Sequence, residues 1–246
     1  LAVVDGSFCN KNCMNFDLPN VAIIARTRKN AGLCFKLKKK IGKRFYQKKM
    51  FTPEDVRQDK NINWIPASAF HSGNWREIKY KEIKEVYWKT GTKMKPVRLI
   101  IIAPTAYRLT KTGKLYYRDP AYLLTTDLAT DALVLIQKYL DRWQIEVNFR
   151  EEKNDLGLGQ AQVWSAESVN KQPAFVVASY AALLLASIEL YQDKRVECFI
   201  NLPKWRRRPS LRPSCLDLLN QLREEIIDSR KNIEKIGIKR EIGSQF

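Results

Sequence analysis

From Tyr139 to Lys153 the sequence reads YLDRWQIEVNFREEK, and its spacing constrains the fold more than any other stretch. Tyr139, Arg142, Glu146 and Lys153 follow one another at intervals of three, four and seven residues. At ~100° per residue an α-helix brings all four within an arc of roughly 60°. Leu133, Ile136, Leu140, Trp143 and Val147 fall on a neighbouring arc of about 80°. The stretch predicts one helix with two faces. One face is a core stripe that includes Trp143. The other carries an aromatic hydroxyl, two cations and a carboxylate, and reads either as a solvated surface steadied by an Arg142–Glu146 pair or as a site.

Charge narrows what such a face could meet. The 246 residues hold 44 Lys and Arg against 26 Asp and Glu, a formal net charge of +18. That excess builds a long-range positive potential suited to a polyanion, whether DNA, RNA or an anionic membrane surface. A hydrophobic content of 45% with 28% charged residues is that of a globular chain with room for a core in one or two domains. The single histidine, His71, argues against hydrolase plans that need an imidazole base. Cys9 and Cys13 have no second Cys or His pair nearby, so reduced thiols are expected and a zinc site is not.

The opening LAVVD is a short apolar run ending in an acid before Gly6, and VAIIARTR is a second such run ending at Arg26 and Arg28. Both suit buried strands of a mostly parallel sheet, with a crossover between them. Asp5 then sits at a carboxyl strand end, where open α/β sheets place ligands, or simply forms an Asp-Gly turn. Residues 26–50 carry eleven Lys or Arg and no acid, interleaved with Phe35, Phe45 and Tyr46. Such a composition suits a strand-rich surface lying on a phosphate backbone. Residues 55–74 read as a loop. WREIKYKEIKEVYW and KPVRLIIIAP read as strands, and YRLTKTGKLYY as a hairpin about Lys111, Thr112 and Gly113. PAYLLTTDL supplies the last strand, with Asp127 or Thr130 as the cap of the helix that follows.

Beyond that helix, GLGQAQVWS reads as a loop, and 168–192 as a buried helix entered at Ser168 with Pro173 nearby. Its apolar stretch, Ala174–Leu190, falls below the ~20 residues that span a bilayer. No signal peptide is visible, because Asp5 follows the first four residues at once. KWRRRPSLRPS is a second basic loop, and a last helix is expected over about 216–232, before a frayed tail.

The spacing Y-x2-R-x3-E-x6-K resembles the signature of the DDE-type insertion-sequence transposases of the IS-four-like group, whose catalytic domain is ribonuclease-H-like. LAVVDGSFCNKNC and PNVAIIARTRKNAGL likewise resemble the segment around that family's second catalytic Asp. The resemblance implies an α/β, partial ribonuclease-H-like fold: a core over 1–32 and 119–192, a β-rich basic insertion over 33–118, and a basic loop with a helical C-terminal part over 193–246. It implies Asp5 and Glu146 as catalytic acids and ligands of Mg²⁺ or Mn²⁺. Tyr139, Arg142, Lys153, Arg26 and Arg28 would contact DNA. The partners it implies are double-stranded transposon ends and target DNA, with a homodimer in the transpososome and no membrane. The compartment it implies is the cytoplasm, at the nucleoid.

One alternative makes Asp5 the first acid and Asp127 the second, but Asp5 leads into a crossover where the family's first Asp leads into antiparallel hairpins. Only four residues precede Asp5. The expectation is therefore a chain without the family's first Asp and about half of its central sheet. Such a chain would be inactive alone unless an upstream reading frame supplied them.

Overall fold

LAVVD and VAIIARTR both form strands, β1 (Ala2–Val4) and β2 (Ile23–Arg26). The computed structural model describes residues 1–16, 19–41, 44–71, 74–110, 112–192 and 214–235. β1 and β2 pair in parallel through a 3-10 turn (Gly6–Phe8) and helix α1 (Lys11–Met14), so the predicted crossover is present. β3 (Leu33–Ile41) and β4 (Arg44–Phe51) form a separate two-stranded ribbon. Helix α2 (Pro53–Gln58) and strand β5 (Ile65–His71) occupy the stretch expected to be a loop. The missed signal for α2 is a capping box: Thr52 accepts from the Asp55 amide, Asp55 accepts from the Thr52 amide, and Pro53 presets the first turn.

β6 (Asn74–Val86) and β7 (Val97–Ile102) follow, then the hairpin β8 (Ala106–Arg108) and β9 (Leu115–Tyr117), then β10 (Ala121–Thr125). The six-stranded sheet runs β1-β2-β10-β7-β6-β5. The expected mostly parallel sheet is overturned: β1–β2 is parallel, and every other neighbouring pair in this sheet is antiparallel. The chain is of mixed α/β class. β10 is the last of the described strands in sequence, yet it lies between β2 and β7.

Apolar runs without alternation arise here because both faces of the sheet are covered. Ile23, Ala25, Leu99, Ile101 and Leu124 join Met14 and Val56 on one side. Ile24, Ile100, Ile102 and Leu123 meet Ala132, Leu135 and Ile136 of helix α3 (Ala132–Asp141) on the other. All six residues of β7 are buried, Arg98 among them. The Arg98 Nε lies 2.7 Å from a Glu82 carboxylate oxygen, and its Nη1 donates to the Thr130 carbonyl. The cap of α3 is Asp131, which accepts from the Leu133 amide, and neither Asp127 nor Thr130 takes that position.

The described chain divides into two compact units, Leu1–Trp143 and the residues from Gln144 onward. The second contains α4 (Gln144–Asn154), α5 (Ala166–Tyr191) and α6 (Cys215–Lys235). α5 starts at the cap Ser165, not Ser168, with Pro173 inside it. It is also not the buried helix expected. Phe175, Leu185 and Leu190 are 73%, 65% and 69% exposed, while its buried residues include Tyr180, whose hydroxyl donates to Glu151 at 2.5 Å. Among the described residues α5 is the one helix long and apolar enough to cross a membrane. The basic stretch KWRRRPSLRPS up to residue 213, Cys198 and the tail from residue 236 lie outside the described residues.

Candidate nucleic-acid interface

The stretch Tyr139–Lys153 is two helices, not one. α3 closes at Asp141 with Arg142 as its cap, the Trp143 amide donates to the Leu140 carbonyl at 3.3 Å, and α4 begins at Gln144. The physical reason lies in the stripe. Leu135 and Ile136 seat α3 on the sheet and Leu140 still packs against them, but beyond it α4 buries only Glu152. Trp143, expected in the core, is 52% exposed. Tyr139 and Arg142 stand at the end of α3 in the first unit, and Glu146 and Lys153 lie seven apart on α4 in the second, both exposed.

In the first unit the structure brings Arg26, Tyr139 and Arg142 together. Along with Trp143 they line a cavity of about 470 Å³, whose walls include His71, Tyr107, Tyr117, Arg118 and Asp119. Arg26 reaches it from the end of β2. Tyr139 packs one side of its ring against the core under α3. The Arg118 guanidinium sits 5.6 Å from the centre of the Tyr107 ring, a cation–π contact. Burial lowers the His71 pKa, and the charges of Arg118 and Arg76 lower it further. Three arginines against one carboxylate leave the cavity positive.

A second hollow of about 620 Å³ adjoins Arg26. Arg28, Lys29, Arg57, Glu54 and Tyr122 line it. Both arginines of the R-x-R pair therefore border open, cationic space. The sequence assigned none of His71, Tyr107, Tyr117 or Arg118 to a site. The β8–β9 hairpin carries the two tyrosines, and hairpin pairing was legible while its destination was not.

Asp5 directly follows β1 and is exposed, with one carboxylate oxygen accepting from the Gly6 amide at 2.7 Å. It ends a strand and it caps a turn. Asp127 is committed to its own loop, accepting from the Ala129 and Thr130 amides (both 2.9 Å) and the Thr130 hydroxyl (2.7 Å). Partial burial opposes ionisation of Asp127, but the Thr130 and Ala129 hydrogen bonds and the Arg98 charge outweigh it and lower its pKa. A turn built this way explains Asp127 without chemistry.

No protein-family model matches the chain, and no curated protein does.

Asp5 belongs to the first unit, Glu146 and Lys153 to the second. Among the described residues no three His, Cys, Asp or Glu side chains gather into a group that could hold a metal ion. The described cysteines, Cys9, Cys13, Cys34 and Cys215, are free thiols. Burial, and then the charges of Asp155, Glu151 and Glu152, push Cys215 up to about 12, which makes it inert at neutral pH.

Proposed function

We propose that this chain is a DNA-binding part of a DDE-type transposase, built on a ribonuclease-H-like plan. The observation that carries the reading is the cavity in which the Tyr and Arg of the four-residue signature meet Arg26 of the R-x-R pair. Two sequence features over a hundred residues apart share one cationic and aromatic hollow. The crossover β1–β2 with Asp5 at its strand end, and the strand–helix pair β10–α3, add to it.

In this reading Arg26 and Arg142 grip phosphates beside the scissile one, since a guanidinium offers two parallel donors to a phosphate. Tyr139 donates a hydrogen bond from a ring already fixed by packing, and Lys153 adds a point charge. Mg²⁺ or Mn²⁺ is the cofactor the reading calls for, with Asp5 and Glu146 as carboxylate ligands. Two acids hold such an ion weakly. The chain alone is therefore expected to bind duplex DNA and not to cut it.

A labelled 30-base-pair duplex titrated with and without Mn²⁺ tests this. Wild type should bind more tightly with Mn²⁺, and Asp5→Ala or Glu146→Ala should remove that gain while sparing binding in EDTA. If both variants leave every response unchanged, the second reading prevails, a DNA-binding module with no catalytic acids. Mn²⁺-dependent nicking of supercoiled plasmid by the purified chain would overturn the expected inactivity.

A further inference from the structure

β5, an edge strand of the six-stranded sheet, ends at His71, the one histidine in the chain. Two elements hold that end in place. Gln137 of α3 clamps the residue before it: its side-chain oxygen accepts from the Phe70 amide at 2.8 Å, and its nitrogen donates to the Phe70 carbonyl at 2.9 Å. A side-chain amide that bonds both backbone groups of an edge residue stands in for a neighbouring strand. Arg76 of β6 donates from Nε to the His71 carbonyl at 3.2 Å. His71 is thus tied to the helix that delivers Tyr139 and Arg142 to the same cavity.

The charged and titratable groups around the imidazole come from each element of the cavity wall. Arg26 reaches it from β2, Tyr107 from β8, Tyr117 with Arg118 and Asp119 from the end of β9, and Tyr139 with Arg142 from α3. Arg76 stands on β6, and Asp141 of α3 accepts from the Gln137 side-chain nitrogen at 2.9 Å. Asp119, the one carboxylate on the wall, also borders the second hollow together with Arg26. The charges that bear on His71 are those of Arg118 and Arg76, and with burial they oppose an imidazolium. A phosphodiester in the cavity reverses that balance. Its negative charge offsets the guanidiniums, and its oxygens accept from an imidazolium N–H as they do from arginine.

We propose that His71 makes the DNA grip of this cavity proton-linked: a phosphodiester seated beside Arg26 and Arg142 draws one proton from solvent onto the imidazole, which then donates to the phosphate. The bound state favours the charged ring, so affinity rises as pH falls through the range in which the bound form titrates. The inference rests on the proposed function for its ligand and adds a proton as a second ligand of the same cavity. It requires neither metal nor cleavage.

Because His71 is the sole histidine, one imidazole Hε1 resonance in the proton NMR spectrum of the full chain reports it. Titrated alone, that resonance should give a pKa below 6.5. With a saturating duplex of about 12 base pairs in EDTA it should rise by about one unit, equivalent to about tenfold tighter binding at the acid end. Fluorescence anisotropy with a labelled 30-base-pair duplex, at fixed ionic strength from about pH 8 to about pH 5.5, should show that gain in wild type and not in His71→Gln. The log–log salt slope should steepen by about 0.9 at the acid end in wild type alone. Equal His71 pKa values with and without duplex would overturn the proposal. So would the same pH dependence in wild type and His71→Gln. If Arg26→Ala and Arg142→Ala leave duplex affinity unchanged, the cavity is not the DNA site, and the proposed function and the proton link fail together. If both weaken binding while the His71 resonance titrates alike in the two states, the cavity stands and only the proton link falls.

Discussion

The hydroxyl of Tyr122, on strand β10 at the centre of the sheet, donates to the carboxylate of Glu54 on helix α2. Arg57 grips the same carboxylate, with Nε 2.8 Å from Oε2. The Arg57 hydrogen bonds, against some burial and helped by Tyr122 and Gln58, hold Glu54 at about 2 rather than 4.5. Burial, and then the bond to Glu54, push Tyr122 up to about 12 from 10. This network forms one wall of the hollow beside Arg26 and Arg28.

Its pH dependence has two limbs. A depressed carboxylate contributes stability that is complete above 4.5 and disappears as pH falls towards 2. A raised tyrosine contributes stability that is complete below 10 and disappears as pH rises towards 12. Urea midpoints of Glu54→Gln should accordingly fall less steeply than wild type below pH 4.5, and those of Tyr122→Phe less steeply above pH 10. Parallel curves for wild type and variant would rule the network out as the source.

Lys81 is 2% exposed, and its ammonium donates to the carbonyls of Val56, Arg57 and Asp59 at 3.1, 2.9 and 2.7 Å. It closes the C-terminal end of α2 while resting 4.8 Å from the Trp64 ring centre. Lys81→Met keeps the apolar stem but removes a donor from three carbonyls and leaves Asp59 only the Ile62 amide, so a loss of about 3 kcal/mol is expected from urea unfolding. A loss below the error of the measurement would mean that water replaces the ammonium.

Gly91 faces Trp88 so closely that a Cβ would meet the indole ring at 2.0 Å. The Gly91 amide donates to the Trp88 carbonyl at 2.9 Å, which fixes the turn. Gly91→Ala must displace a large ring that packs on the core, at a cost of about 1–3 kcal/mol. A calorimetric melting temperature equal to wild type would contradict this.

Arg26 and Arg142 share one cavity, so their contributions to DNA binding should not add. Each single change to Ala is expected to weaken binding about tenfold in EDTA. The double variant should lose less than the product of the two. A strictly multiplicative loss in a double-mutant cycle would show that the two side chains grip separate phosphates.

Much of the fold could be read from apolar runs and turn chemistry. β1 and β2 with their crossover, the hairpin flanking Thr112–Gly113, and α6 at Cys215–Lys235 follow local rules that packing did not override. Strand direction could not be read, because VRLIII is as apolar in an antiparallel sheet covered on both faces as in a parallel one. The helix of the four-residue signature was misread for a related reason. Periodicity assumes a continuous helix, and nothing in YLDRWQIEVNF marks the end at Asp141 in the way glycine or proline would. α5 was misjudged because apolar composition reports affinity for burial and not whether a partner is there: Phe175 remains 73% exposed. Of the site, the chemistry at Arg26, Tyr139 and Arg142 was visible in sequence, while His71 and Arg118 became neighbours only through folding.

The position of β10 has a consequence for how the protein is made. Thr125 pairs with Ile24, so β2 completes its place in the sheet only after roughly a hundred further residues have been synthesised. At ~5–20 residues per second, that leaves an apolar strand waiting on the order of 5–20 s with one edge unpaired. For the later part of that interval the nascent chain also carries the basic sequence of β3 and β4, whose positive charge repels like-charged neighbouring chains while the sheet waits for its central strand.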